Sequence, residues 1–117
     1  MKRALIIDDQ KGFLDVTAYS LEQLGFESQL ACCGQEGVNR YTQEGPFDIV
    51  ITDFEMPNGN GEWVVQKIRA ISPEQPIIVM SSTAQYLQGF SGPHIRTLDK
   101  EDLFYDLPIL LKELKLA

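Results

Sequence analysis

The sequence predicts an α/β fold: a doubly wound sheet of five parallel strands in the order 2-1-3-4-5, with helices on both faces and a shortened fourth helix. Short apolar runs alternate with helical patterns along the 117 residues, the mark of strand–helix–strand units. Parallel strands joined by right-handed crossovers leave few topologies, and this order suits five strands of such length. No linker, low-complexity tract or internal repeat interrupts the alternation, so residues 1–117 read as a single domain.

Each element has its own signal. Ala4 to Ile7 is a continuous apolar run, as expected of a strand buried on both faces. Phe13, Thr17, Leu21 and Leu24 then recur at helical spacing, and Gly25 stops the helix. Phe26 to Ala31 is a weaker strand, and Glu36 to Glu44 a short helix closed by Gly45 and Pro46. Ile49 to Thr52 forms the third strand. Val64, Ile68 and Ile71 line one face of a helix that Ser72-Pro73 ends. After the fourth strand, Ile77 to Met80, only a brief helical segment from Ala84 to Leu87 fits before Gly89 and Gly92. Ile95 to Leu98 supplies the fifth strand. Leu107, Leu110, Leu111 and Leu114 make the stripe of a final helix, with Asp106 as its N-cap and Pro108 in its first turn.

Composition narrows the function classes. A chain of this size buries roughly two-thirds of its unfolded surface, enough for a core without staples. Ten Lys and Arg against seventeen Asp and Glu leave a net charge of −7, with no basic stripe to neutralise phosphates, which argues against direct nucleic-acid binding. No run approaches the ~20 apolar residues of a membrane span. Met1-Lys2-Arg3 leads straight into a strand rather than a signal peptide, so the chain reads as cytoplasmic. Adjacent Cys32 and Cys33 suit neither a redox pair nor a metal knuckle, and His94 stands alone after Pro93.

The chemistry gathers where the strands end. Asp8 and Asp9 close the first strand and Asp53 the third, while Ser81 and Lys100 follow the fourth and fifth. In a parallel sheet all five groups share the carboxyl edge, where open α/β folds place their sites. Two carboxylates about 4 Å apart repel by on the order of 4 kcal/mol at an effective dielectric near 20, so three together call for a cation. Mg²⁺, or Mn²⁺ in its place, is a hard ion that takes oxygen ligands and leaves positions for phosphate oxygens. Asp53 is then a candidate nucleophile toward phosphorus, Lys100 a neutraliser of the transferring group, and Ser81 a donor to one of its oxygens. Taken singly, Asp53 is equally a turn former, Lys100 a solvated lysine and Ser81 a backbone-satisfying hydroxyl. Their joint order favours chemistry.

The segments Ala4-Leu5-Ile6-Ile7-Asp8-Asp9, Asp48 through Pro57 with Gly61, Ile77-Ile78-Val79-Met80-Ser81 and Leu98-Asp99-Lys100 resemble the receiver domain of two-component response regulators. That is the family of the stand-alone chemotaxis regulator. The resemblance implies a flavodoxin-like fold and makes Asp53 the phosphoacceptor. It implies that Asp9 and Asp53 bind Mg²⁺ directly, that Asp8 acts partly through water, and that the backbone carbonyl of Glu55 is a further ligand. Ser81 becomes the switch hydroxyl, Lys100 the phosphate-contacting lysine, and Gly59 and Gly61 the turn and the start of the third helix. The implied partners are a histidine kinase or histidine phosphotransfer protein and a downstream protein target. Such a domain is not an enzyme in the ordinary sense; it catalyses only its own phosphorylation and dephosphorylation.

Three departures fall on the output side of that pattern, the face of the fourth helix, fifth strand and fifth helix. Thr97 stands where the family usually has an aromatic residue, Glu101 replaces the proline after the lysine, and the segment from Ser81 to Lys100 is short. A non-proline cis bond costs about 2.5–4 kcal/mol, so a trans peptide or a distorted loop is expected between Lys100 and Glu101. The altered face keeps a second reading open, a pseudo-receiver that binds proteins without being phosphorylated. A flavin carrier would meet repulsion from Asp8-Asp9, and a haloacid-dehalogenase-type phosphatase carries its nucleophile after the first strand.

Overall fold

The computed structural model describes residues 1–116; Ala117, the end of the predicted single domain, lies outside them. Strands β1 (Lys2–Ile7), β2 (Phe26–Ala31), β3 (Ile49–Asp53), β4 (Ile77–Ser81) and β5 (Ile95–Asp99) alternate with helices α1 (Lys11–Gln23), α2 (Gly34–Glu44), α3 (Gly61–Ile71) and α4 (Leu103–Glu113). The strands form one sheet in the order β2-β1-β3-β4-β5, every pair parallel, as the alternation predicts. The shortened fourth helix is a single 3₁₀ turn, Ala84–Leu87, between β4 and β5.

Strand alternation sends successive side chains to opposite faces, and the two faces build two cores. Ala4 and Ile6 of β1 join Leu14 and Leu21 of α1 and Leu107 and Leu111 of α4. Leu5 and Ile7 join Tyr41 of α2 and Val64 and Ile68 of α3 on the other side. Residues 4–7 are fully buried, so a strand that reads as an unbroken apolar run is the one flanked by helices on both faces.

Several helix boundaries differ from the sequence expectation. α2 starts at Gly34, two residues before Glu36, because the Cys33 thiol caps it by accepting from the Glu36 amide at 3.5 Å. Both cysteines are free. The final helix also starts earlier, at Leu103, led in by a 3₁₀ turn over Lys100–Asp102, so Asp106 is not its N-cap and Pro108 lies inside it. The amide that Pro108 lacks would have bonded the carbonyl four residues back, on solvent-facing Phe104, which limits the cost. Ile71 shares the helical face of Val64 and Ile68 but is 51% exposed, as the last residue of α3 with nothing beyond to cover it. The Lys100–Glu101 peptide is trans; among the described residues only Gly45–Pro46 is cis.

The amino end of the sheet is tied by polar groups. Arg69 donates to the carbonyls of Gln75 at 2.6 Å and His94 at 2.9 Å, at the entries to β4 and β5. Tyr41 donates to the Gln75 side chain at 2.8 Å, so α2 and α3 both anchor that loop.

Candidate phosphoacceptor site

Strand register brings the acidic groups together. Ile7 pairs with Thr52, so Asp8 and Asp53 follow side by side at the ends of β1 and β3. Asp53 pairs with Met80 and Ser81 with Asp99, which puts Ser81 and Lys100 one step further along the same edge. Asp8, Asp53, Ser81 and Lys100 are buried, whereas Asp9 is exposed. One carboxylate oxygen from each of Asp8, Asp9 and Asp53 lies within 4.8 Å of the others.

Lys100 is the counter-charge. Its ammonium stands 2.9 Å from Asp8 Oδ2 and 3.2 Å from Asp53 Oδ2. Lys100 is thus the charged neighbour of the buried Asp8 Oδ2, while Oδ1 accepts from the Gln10 amide at 2.9 Å. Burial pushes the Asp53 carboxyl up to about 7, and Asp8 adds to the rise, while Lys100 pulls the other way. One lysine therefore does not balance the cluster. Three hard oxygen donors and an excess of negative charge fit a hard divalent cation, and Asp8, Asp9 and Asp53 are the residues that could hold it.

Ser81 reaches the same edge but does not join the ion pairs. Its Oγ accepts from the Thr83 amide at 2.9 Å, and among the described residues it makes no hydrogen bond to Asp53. Glu55 sits exposed in the loop after β3. That loop is held tightly. Asn60 caps α3 by accepting from the Trp63 amide at 3.0 Å, and the Gly61 amide donates to the Phe54 carbonyl at 2.8 Å. A side chain at Gly61 would lie 2.8 Å from the Asp53 carbonyl oxygen, so glycine is what lets α3 start against the end of β3. Gly59 takes a φ of +101°, the turn conformation expected of it.

Two neighbours of Lys100 are not apparent from the sequence. Gln10 Oε1 accepts from the ammonium at 3.2 Å, and the Phe13 ring lies beneath it with its centroid 4.5 Å away. A third unanticipated group is aromatic: Phe54 stacks on Tyr86 at 5.0 Å and meets Phe90 edge-on at 6.0 Å, closing the 3₁₀ turn over the β3 end. Thr97, in contrast, is a half-buried residue of β5 paired with Val79.

Comparison with known proteins matches this arrangement to one family. The response regulator receiver domain family matches residues 4–91, a stretch that ends before β5 and Lys100. The transcriptional regulatory protein DltR of Streptococcus agalactiae is 28% identical over 90 residues, 77% of this chain and 40% of that protein. The probable transcriptional regulator ycf27 of Guillardia theta is 32% identical over 91 residues, 78% of this chain and 35% of that protein. The matched part thus spans about 40% or less of these relatives' length. Among solved structures, the response regulator protein TrrA of Thermotoga maritima in complex with Mg²⁺-BeF has a TM-score of 0.88 at 29% identity, covering 97% of this chain and 99% of that one. A response regulator receiver domain protein from Clostridium thermocellum has a TM-score of 0.78 at 24% identity, with coverages of 99% and 98%, and shows the same fold.

Proposed function

This chain belongs to the response regulator receiver domain family, and we propose that it takes a phosphoryl group onto Asp53 in a Mg²⁺-dependent reaction and so changes the surface it presents to a protein target. The observation that carries the reading is the surplus of carboxylate at one sheet edge, with buried Asp53 3.2 Å from a buried lysine.

The donor in this reading is the phosphohistidine of a histidine kinase or histidine phosphotransfer protein. An Asp53 carboxylate oxygen attacks phosphorus and a P–O bond forms. The P–N bond breaks, and the imidazole nitrogen leaves with its electron pair. Asp53 must be ionised to attack, and Lys100 favours that state against burial and Asp8. Asp8, Asp9 and Asp53, with the backbone carbonyl of Glu55, would hold Mg²⁺ or Mn²⁺, which when bound supplies positive charge to the carboxylates and to phosphoryl oxygens. Ser81 Oγ already accepts from Thr83, which leaves its O–H to donate to a phosphoryl oxygen. The product carries about −1.5 to −2 charges by analogy with phosphoserine, a new pull on Ser81 and Lys100 at the base of the 3₁₀ turn and α4.

The reaction modifies the chain itself, so no turnover of another substrate belongs to this reading. Residues 1–117 act in it as one receiver unit without direct nucleic-acid contact, in keeping with the net charge of −7, and the compartment that goes with it is the cytoplasm. Intact-mass analysis after incubation with acetyl phosphate and Mg²⁺ tests it. Wild type is expected to gain one phosphoryl group on Asp53 and Asp53→Asn none. Equal uptake by Asp53→Asn would make the acceptor assignment wrong. No uptake by wild type, with no spectral response to beryllofluoride and Mg²⁺, would favour the pseudo-receiver.

A further inference from the structure

We propose that Gln10 and Phe13 are positioning residues for Lys100, forming an uncharged berth that keeps its ammonium at the acceptor when the carboxylates are otherwise engaged. The inference rests on the phosphoacceptor reading of Asp53 and adds a role to the first turn of α1.

A buried ammonium must replace the water it has lost. Lys100 is 8% exposed, and four groups surround its Nζ: Asp8 at 2.9 Å, Asp53 at 3.2 Å, Gln10 at 3.2 Å and the Phe13 ring centroid at 4.5 Å. The two carboxylates are the groups that phosphoryl transfer recruits. Once Asp53 is phosphorylated and Asp8 faces a cation, neither holds the lysine as before. The two α1 groups are untouched by that change.

Both are suited to the task, Phe13 while one side of it packs against the core. Gln10 occupies the N-cap position of α1, yet its side chain makes no capping hydrogen bond and reaches Lys100 instead, across ninety positions of sequence. An amide oxygen gives the lysine an acceptor without adding a fourth carboxylate to a cluster already too negative. The face of Phe13 attracts a cation through its ring quadrupole, again without net charge. The Phe13 amide donates to the Gln10 carbonyl at 3.0 Å, so one helical turn sets the geometry of both. The lysine is thereby fixed from the α1 side even though it enters from the end of β5.

Phe13→Leu keeps apolar volume and removes the ring face, Phe13→Tyr keeps the face, and Gln10→Leu removes the acceptor. With acetyl phosphate and saturating Mg²⁺, the rate of uptake on Asp53 is expected to fall about tenfold in Phe13→Leu and in Gln10→Leu, and to stay within about twofold of wild type in Phe13→Tyr. Mg²⁺ affinity by calorimetry should be unchanged in all three. An independent readout is the ring-current shift of the Lys100 ε-methylene protons by NMR. It should persist in wild type and Phe13→Tyr, with and without Mg²⁺ and beryllofluoride, and vanish in Phe13→Leu. Normal uptake in both leucine variants, or an unshifted lysine in folded wild type, overturns the berth while leaving Asp53 the acceptor. No uptake in wild type overturns the acceptor reading and the berth's role with it.

Discussion

Asp53 carries a charge that its surroundings oppose, and this has a measurable cost. The carboxyl moves from an ordinary 3.8 to about 7 on folding, chiefly through burial and then through Asp8. Between those two values the native state holds more proton than the unfolded chain, so the stability tied to this group is present at low pH and is lost as pH rises from about 4 to about 7. In EDTA, urea unfolding of Asp53→Asn should therefore show a flatter pH dependence than wild type, and above pH 7 a higher urea midpoint. A variant no more stable than wild type at pH 8 would mean that Lys100 compensates the burial in full. Asp8, Asp9, Asp53, Ser81 and Lys100 were legible because each follows or ends a strand, the first four after apolar runs, and strand ends of a parallel sheet share one edge. Gln10 and Phe13 were not, because their partner is a lysine ninety or so positions away that only the closed sheet delivers.

At the scale of elements, the strands read well because three of them hold continuous apolar runs, while helix starts read poorly because caps and 3₁₀ lead-ins are set by local hydrogen bonds. Asp106 looked like a cap until the Lys100–Asp102 turn moved the start of α4 forward to Leu103, so that buried Leu103 precedes Leu107 and Leu111 in the core-facing row. The brief segment after β4 was legible as short, but its closure by Phe54, Tyr86 and Phe90 was not, since residues separated by some thirty positions carry no shared period. The β3–α3 junction shows how an element boundary controls the site. Gly61→Ala sets a methyl 2.8 Å from both the Asp53 carbonyl oxygen and Phe54 Cα, and is expected to cost about 1–3 kcal/mol and to slow uptake on Asp53 by shifting the strand end. Gly12→Ala is its control: nothing lies within 4 Å of the added atom, on an exposed turn of α1, and about 0.5–1 kcal/mol should be gained. Equal effects in the two variants' urea midpoints would show that the close approach at Gly61 does not matter.

For the molecule as a whole, an uncompensated acidic edge makes stability depend on what binds there. A cation with affinity only for the folded state adds about 2.7 kcal/mol at a concentration 100 times Kd, which for a chain of this size raises Tm by roughly 10 °C. Calorimetric scans in Mg²⁺ and in EDTA should differ by that order in wild type and much less in Asp53→Asn; equal shifts in both would place the ion elsewhere. Family resemblance and fold divide along the chain in the same sense. The family match stops at residue 91, while the likeness to TrrA covers 97% of the chain, so the shared fold reaches beyond the matched stretch. The connection into β5 starts from a fixed floor. Arg69 bolts the entries of β4 and β5 together, whereas the connection from Ser82 to Pro93 is largely exposed and packs down through Tyr86, Leu87 and Phe90 beside Phe54. Local opening takes the path of fewest buried contacts. The Ser82–Pro93 connection is therefore expected to open before the strand frame does, read as faster amide hydrogen exchange at Tyr86 and Phe90 than at Ile77 and Ile95.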